Sequence, residues 1–299
     1  MRVETSRQCG SMNPDGRFGE RYNLDRKLWC DGPHAGWVAL DRLLGRRVVV
    51  NFPYRRDHGS EFLKRARLRA TLRHANLIPI YDLGHATDGT PFFTEPHIEA
   101  TDLRTLLRRD DERSGTTLPQ LVSYLRDACQ AVAFLHANGF LHLGLFPSNV
   151  VVTPAFGEVF VLLAHQSLTP IGALDTTIGT GGLLVSMPAY MAPEQLNPEA
   201  LGPIDVVSDV YALGGILFEI LYDRPPNGEP GARKDEVSTA LATRNGPPPR
   251  RTLADRAARS RRLAQKLEPI CLRALEHDRR LRQTSVSDFI EDLEDASTG

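Results

Sequence analysis

The chain has 299 residues with 36 basic and 37 acidic side chains, a net charge of −1, so no overall charge draws it to nucleic acid or to an anionic membrane. Apolar residues make up 41% and charged residues 24%, a globular balance that excludes a wholly disordered or collagen-like chain. The length suits two domains or one large bilobal one, and the longest apolar runs, such as Val159–Ala164, fall far below the roughly 18 residues of a membrane span. The opening Met1-Arg2-Val3-Glu4-Thr5 lacks the apolar core of a secretory signal. Cys9, Cys30, Cys129 and Cys271 stand far apart with no Cys-x-x-Cys pair, the pattern of reduced thiols in a cytoplasmic protein.

Residues 1–19 are polar, rich in Gly, Ser and Asn, and read as a flexible segment. From Trp37 to Phe52, apolar and β-branched runs flank the turn at Gly45, which predicts a hairpin. Glu61 to Arg73 is expected to be a helix, with Phe62, Leu63, Ala66 and Ala70 near one face. Ile78–Tyr81 and Phe92–Thr94 suggest two short strands around the turn signal Asp88-Gly89. Beyond residue 98 the pattern turns helical: Leu121, Leu125, Ala128, Val132 and Leu135 recur at amphipathic spacing, with Pro119 suited to the first turn and Gly139 just past the end. Asp209–Tyr222 is apolar on nearly all sides and reads as a buried helix. Residues 224–252 are Pro- and Gly-rich around at most one short helix, and Leu267–Leu293 carries two further amphipathic patterns. The coarse expectation is an α+β chain, a β-rich lobe over 20–98 followed by a larger helical lobe over 99–299.

Four phrases carry a resemblance: Leu72-Arg73-His74-Ala75-Asn76-Leu77-Ile78, His142-Leu143-Gly144-Leu145-Phe146-Pro147-Ser148-Asn149, Pro188-Ala189-Tyr190-Met191-Ala192-Pro193-Glu194 and Ser208-Asp209-Val210-Tyr211-Ala212-Leu213-Gly214. In this order and spacing the chain resembles the protein-kinase fold over about residues 21–294, especially the bacterial serine/threonine kinases. The resemblance implies a bilobal fold and a reaction that consists mostly of positioning and charge neutralisation.

The matching positions lack the charges that chemistry needs. Counted back from the hairpin, the glycines of the phosphate-covering loop fall on Trp29, Asp31 and His34, with Gly32 and Gly36 close enough to restore part of the pattern by a shift of register. The phosphate-holding lysine is Asn51, and Val49 replaces the small residue beside the adenine. The glutamate that should orient the lysine is Arg65, with Glu61 one turn earlier as an alternative. The base aspartate is Gly144, the lysine beside it is Phe146, and the arginine that would read a phosphorylated loop is Leu143. Asn149 stays at a magnesium-ligand position, where ordering its own loop is the plainer role. Leu163-Ala164-His165 stands where the metal-binding Asp-Phe-Gly belongs, so the carboxylate that a hard Mg²⁺ ion requires is missing.

His142, Glu194, Asp209 and Arg282 match residues that brace the large lobe in this family. Glu194 and Arg282 are expected to form a buried ion pair, and Glu95, at the position guarding the back pocket, is expected to pair with Arg65 or Arg69. Two basic clusters, Lys64–Arg73 and Arg250–Arg262, read first as solvated faces; the second could dock an acidic or phosphorylated partner. The resemblance thus implies a pseudokinase: a catalytically inactive module that binds a protein partner, such as a true kinase or its substrate, with no cofactor required. The alternative is a residual kinase or other kinase-fold transferase that uses ATP and Mg²⁺ through displaced groups.

Overall fold

The computed structural model describes residues 18, 20–31, 34–53, 59–108, 116–153, 157–162, 168–171, 187–228, 232–244, 246–249 and 252–298. Two compact units divide the chain, Met1–Glu99 and Ala100–Gly299. Of the segment 1–19, only Phe18 is among the described residues.

The first unit holds β1 (Tyr22–Asp31), β2 (His34–Asp41), β3 (Arg46–Pro53), α1 (Gly59–Thr71), β4 (Asp82–His85) and β5 (Pro91–Pro96). Its antiparallel sheet has the order β1-β2-β3-β5-β4. Alternation along β3 sends Val48, Val50 and Phe52 to one face, where Phe18, Tyr22 and Phe92 complete a core that Trp37 packs against. The other face receives α1: Phe62 and Ala66 pack on Phe93, the two rings stacked at 5.3 Å. The helix starts two residues before the expected Glu61 and ends two before Arg73.

The expected strand at Ile78–Tyr81 is not formed; the pairing begins at Asp82. Pro79 has no amide to give a ladder and biases Ile78 toward an isolated extended conformation. The strand that does form, Asp-Leu-Gly-His, carries little β signal of its own and is recruited by β5. β1 also escaped the pattern because register breaks between Leu24 and Arg26, and between Lys27 and Trp29, interrupt its alternation.

The second unit opens with β6 (Thr101–Asp102), α2 (Leu103–Arg108) and α3 (Leu118–Ala137). Thr117 and Gln120 form a capping box at the start of α3, Pro119 sits in its first turn, and Gly139 follows its end with φ +82°. β7 (Phe140–Leu141), β8 (Val150–Val152), β9 (Val159–Val161) and β10 (Thr169–Pro170) make two small sheets, β6-β8-β9 and β10-β7. Then come α4 (Pro193–Leu196), α5 (Pro198–Leu201), α6 (Val206–Tyr222), α7 (Lys234–Ala242), α8 (Asp255–Arg259), α9 (Arg261–Ala274) and α10 (Val286–Thr298). Asp205 caps α6, whose residues from Ser208 to Tyr222 are all buried. Each large apolar side chain so buried stabilises the fold by roughly 1.5–3 kcal/mol. Gly214 lets α9 close in, since a Cβ there would lie 2.6 Å from the Ala274 side chain. No helix among the described residues is long and apolar enough to cross a membrane.

Candidate functional site

In the sheet unit, register brings Trp29, Gly36, Asn51 and Phe93 into one row on the α1 side. The Trp29 indole lies flat on Gly36, where a Cβ would come within 2.2 Å of the ring. Asn51, matched to the lysine position, is 1% exposed, and its amide nitrogen meets no hydrogen-bond acceptor among the described residues. One step along the sheet, Val38, Val49 and Glu95 stand side by side. Because Val38 faces Val49, the pattern Gly-x-Gly-x-x-Gly-x-Val counts back from Val38, which moves the three glycine positions from Trp29, Asp31 and His34 to Asp31, Pro33 and Gly36. Gly36 alone of these is a glycine.

Arg65 does not turn toward the sheet: its side chain is partly exposed and pairs with Glu61 one turn earlier at 2.8 Å. Arg69 takes the inward position. It is buried, donates to Glu95 at 3.0 Å and lies 5.1 Å from the centroid of the Phe93 ring. An ion pair therefore ties α1 to β5, with a cation on the helix and a carboxylate on the strand. Glu95→Ala would strand the Arg69 charge and is expected to cost about 1.5–3 kcal/mol. Arg69→Met with Glu95→Met should be close to neutral, because apolar replacement removes both desolvation penalties together. Urea unfolding of both variants beside the parent measures the difference.

In the helical unit, Asp209 is fully buried and organises the segment around Gly144. Its carboxylate accepts from the His142 amide at 2.8 Å and the Leu143 amide at 2.7 Å, while the His136 ring meets it at 2.8 Å. These bonds hold Leu143 at φ +54°, a left-handed conformation costly for a leucine. Burial works against ionisation of Asp209, but the hydrogen bond and charge of His136, helped by the backbone amides, keep its carboxyl below the usual range. Burial pushes the His142 ring down, leaving it neutral, with the nearby Asp209 only partly offsetting this. The ring takes the Gly144 amide on Nδ1 at 3.2 Å and meets the Leu162 carbonyl through Nε2 at 3.2 Å, so the network assigns the proton to Nε2.

Gly144, matched to the base, contributes only backbone here. The Asn149 side chain donates to its carbonyl at 2.7 Å, closing the loop from within. Phe146 is partly buried, its ring centroid 6.5 Å from that of Tyr190. Leu163 and its two successors lie outside the described residues.

Glu194 and Arg282 meet in a bidentate pair of 2.7 and 3.0 Å, each side chain at most 1% exposed. Ser208 adds a donor to Glu194 at 2.7 Å, and Arg282 also bonds the carbonyls of Glu276, Val207 and His277. Burial raises the Glu194 carboxyl, but Arg282 outweighs it and holds the group below its ordinary value. His136, Ser208 and Gln195, which bonds the Leu143 carbonyl at 3.3 Å, were not singled out from the sequence. The polar Ser208 just ahead of Asp209, in a helix that is apolar over most of its length, was the available signal.

An antiparallel five-stranded sheet with one packed helix, followed by a helical unit braced through Asp209 and Glu194–Arg282, is the architecture of a protein kinase domain. The family model for protein tyrosine and serine/threonine kinases matches residues 47–259, and the chain belongs to that family. The DNA damage-responsive serine/threonine-protein kinase RqkA of Deinococcus radiodurans is 31% identical over 72% of this chain and 32% of its own length. The serine/threonine-protein kinase PknD of Chlamydia caviae is 26% identical over 92% of this chain and 31% of its own. The chain thus spans about a third of these curated relatives. The crystal structure of the PknI kinase domain of Mycobacterium tuberculosis shares the fold, with a TM-score of 0.62, 18% identity and coverage of 94% of this chain and 98% of that one.

Proposed function

We propose that this chain is a pseudokinase: a kinase-family domain that transfers no phosphate and acts by binding a protein partner, such as an active kinase or a kinase substrate. Gly144 is the observation that carries the reading. The segment around it is fully braced, yet the residue matched to the base has no side chain, and the neighbouring Asn149 amide is committed to the Gly144 carbonyl. MgATP does not fit the side chains present. Asn51 brings no cation to phosphate, Asp31 and Pro33 replace two loop glycines, and Leu163 stands where the metal-binding aspartate belongs. The buried thiols of Cys129 and Cys271 suit a reducing, cytoplasmic setting.

The purified chain is expected to incorporate no phosphate into itself or a basic substrate with ATP and Mg²⁺ or Mn²⁺, and to show no change in melting temperature with them. A nucleotide present at a hundred times its dissociation constant would add about 2.7 kcal/mol of stability. Phosphotransfer that persists through repurification would overturn the reading and favour a residual kinase with displaced groups. Gly144→Asp alone is expected to restore nothing, because the phosphate-holding cation would still be missing.

A further inference from the structure

We infer that a groove on the helical unit, formed by α3, α8, α9 and α10, is a docking site for an acidic segment of the partner protein. The groove encloses about 500 Å³. Five cations converge on it from distant parts of the sequence: Arg126 from α3, Arg259 from α8, and Arg261, Arg262 and Lys266 from α9. None of the described residues lining it is acidic. Arg126 stands 3.8 Å from Asp127, beyond hydrogen-bonding distance, while Arg262 engages a partner of its own.

In a chain whose net charge is −1, this concentration is a local one. It also differs from the basic run read in the sequence. Arg256, part of that run, turns inward to the Leu107 and Ile220 carbonyls and to Asp223, leaving the groove to its neighbours. Arg126 joins from a helix more than a hundred residues away.

Below the cations the groove is apolar, with Val122, Leu293 and Ala296 on its floor. A cationic rim over an apolar floor complements a peptide that sets one aliphatic side chain into the groove and carboxylates around it. Guanidinium groups supply planar, two-pronged donors for such carboxylates. This assignment rests on the reading of the chain as a partner-binding domain, but not on its lack of phosphotransfer, which a separate assay measures.

The test is fluorescence anisotropy with the full chain and three fluorescein-labelled peptides: repeated Glu-Glu-Leu, repeated Gln-Gln-Leu, and the Gln peptide with one phosphoserine. The Glu peptide should bind, and its affinity should fall at least about tenfold as salt is raised from roughly 50 to 300 mM, where screening shortens the reach of exposed charges. Arg259→Glu with Arg261→Glu should weaken it by at least about tenfold, while Arg233→Glu on the exposed start of α7 should not. Both reversed residues are exposed, and a carboxylate in the first turn of α9 suits the helix dipole, so the fold should survive; an unchanged melting temperature checks this. Equal binding of the Gln peptide, binding of the phosphoserine peptide alone, no binding at millimolar protein, or indifference to the double reversal would each overturn the proposal. Phosphotransfer without peptide binding would overturn both readings, and peptide binding with phosphotransfer only the earlier one.

Discussion

Glu194→Ala is expected to lower stability by about 3–5 kcal/mol, because it leaves the Arg282 guanidinium buried with no carboxylate opposite it. For a helical unit of this size that corresponds to a fall in melting temperature of roughly 6–20 °C. The remaining carbonyl partners of Arg282 are dipoles, and cannot replace a full charge at no exposure to water. Arg282→Lys should lose much of the same stability, since a single ammonium cannot hold both carboxylate oxygens and three carbonyls at once. Replacing both partners with methionine should recover a large part of the loss. Partner binding should decline only with the folded fraction. Melting within a degree of the parent in Glu194→Ala would show that the pair contributes nothing.

Asp209→Asn is the second large effect, expected at roughly 3–5 kcal/mol by urea unfolding. Asparagine has one oxygen where the carboxylate uses two, so the His142 and Leu143 amides cannot both be satisfied, and its own amide group would point at a donor. Leu143 would then have little to hold it left-handed. The pH dependence follows from the same groups. His142 is lowered from 6.5 and stays neutral when folded, so the unfolded chain gains a proton first and stability starts to fall as pH drops below about 6.5. Asp209 and Glu194 are lowered from 3.8 and 4.5, so their contributions are complete above those values and are lost as pH falls further through their folded titrations. Urea midpoints from pH 7 to 3 should decline in both windows, and Asp209→Asn should flatten the lower one. A midpoint rising toward acid would contradict the assignment.

The bracing residues were legible because their spacing follows family phrases whose physical demands are strict: a buried carboxylate must find its guanidinium or its amides, whatever else has changed. The α+β class was legible from periodicity, most clearly in the unbroken helical spacing from Leu121 to Leu135. What escaped was decided by partners distant in sequence. β4 exists because β5 pairs with it, and the breaks in β1 conceal its alternation. The inward role on α1 passed from Arg65 to Arg69, because the helix rotates to bury Phe62 and Ala66, and residue 69 shares their face. Likewise, no count along the chain could show that Arg126 joins the cations of α9 while Arg256 leaves them.

Both tryptophans of the chain lie in one hairpin, and they point to opposite sides of the same sheet. Trp29 rests on Gly36 on the α1 side, whereas Trp37 packs against the Phe18–Phe92 core. Since the helical unit has no tryptophan, indole emission reports on residues 1–99 alone, while the helical signal in the far ultraviolet comes mainly from residues 100–299. The chain therefore carries two spectroscopically separate reporters without any label, and a single thermal scan can distinguish concerted from sequential unfolding of its two units.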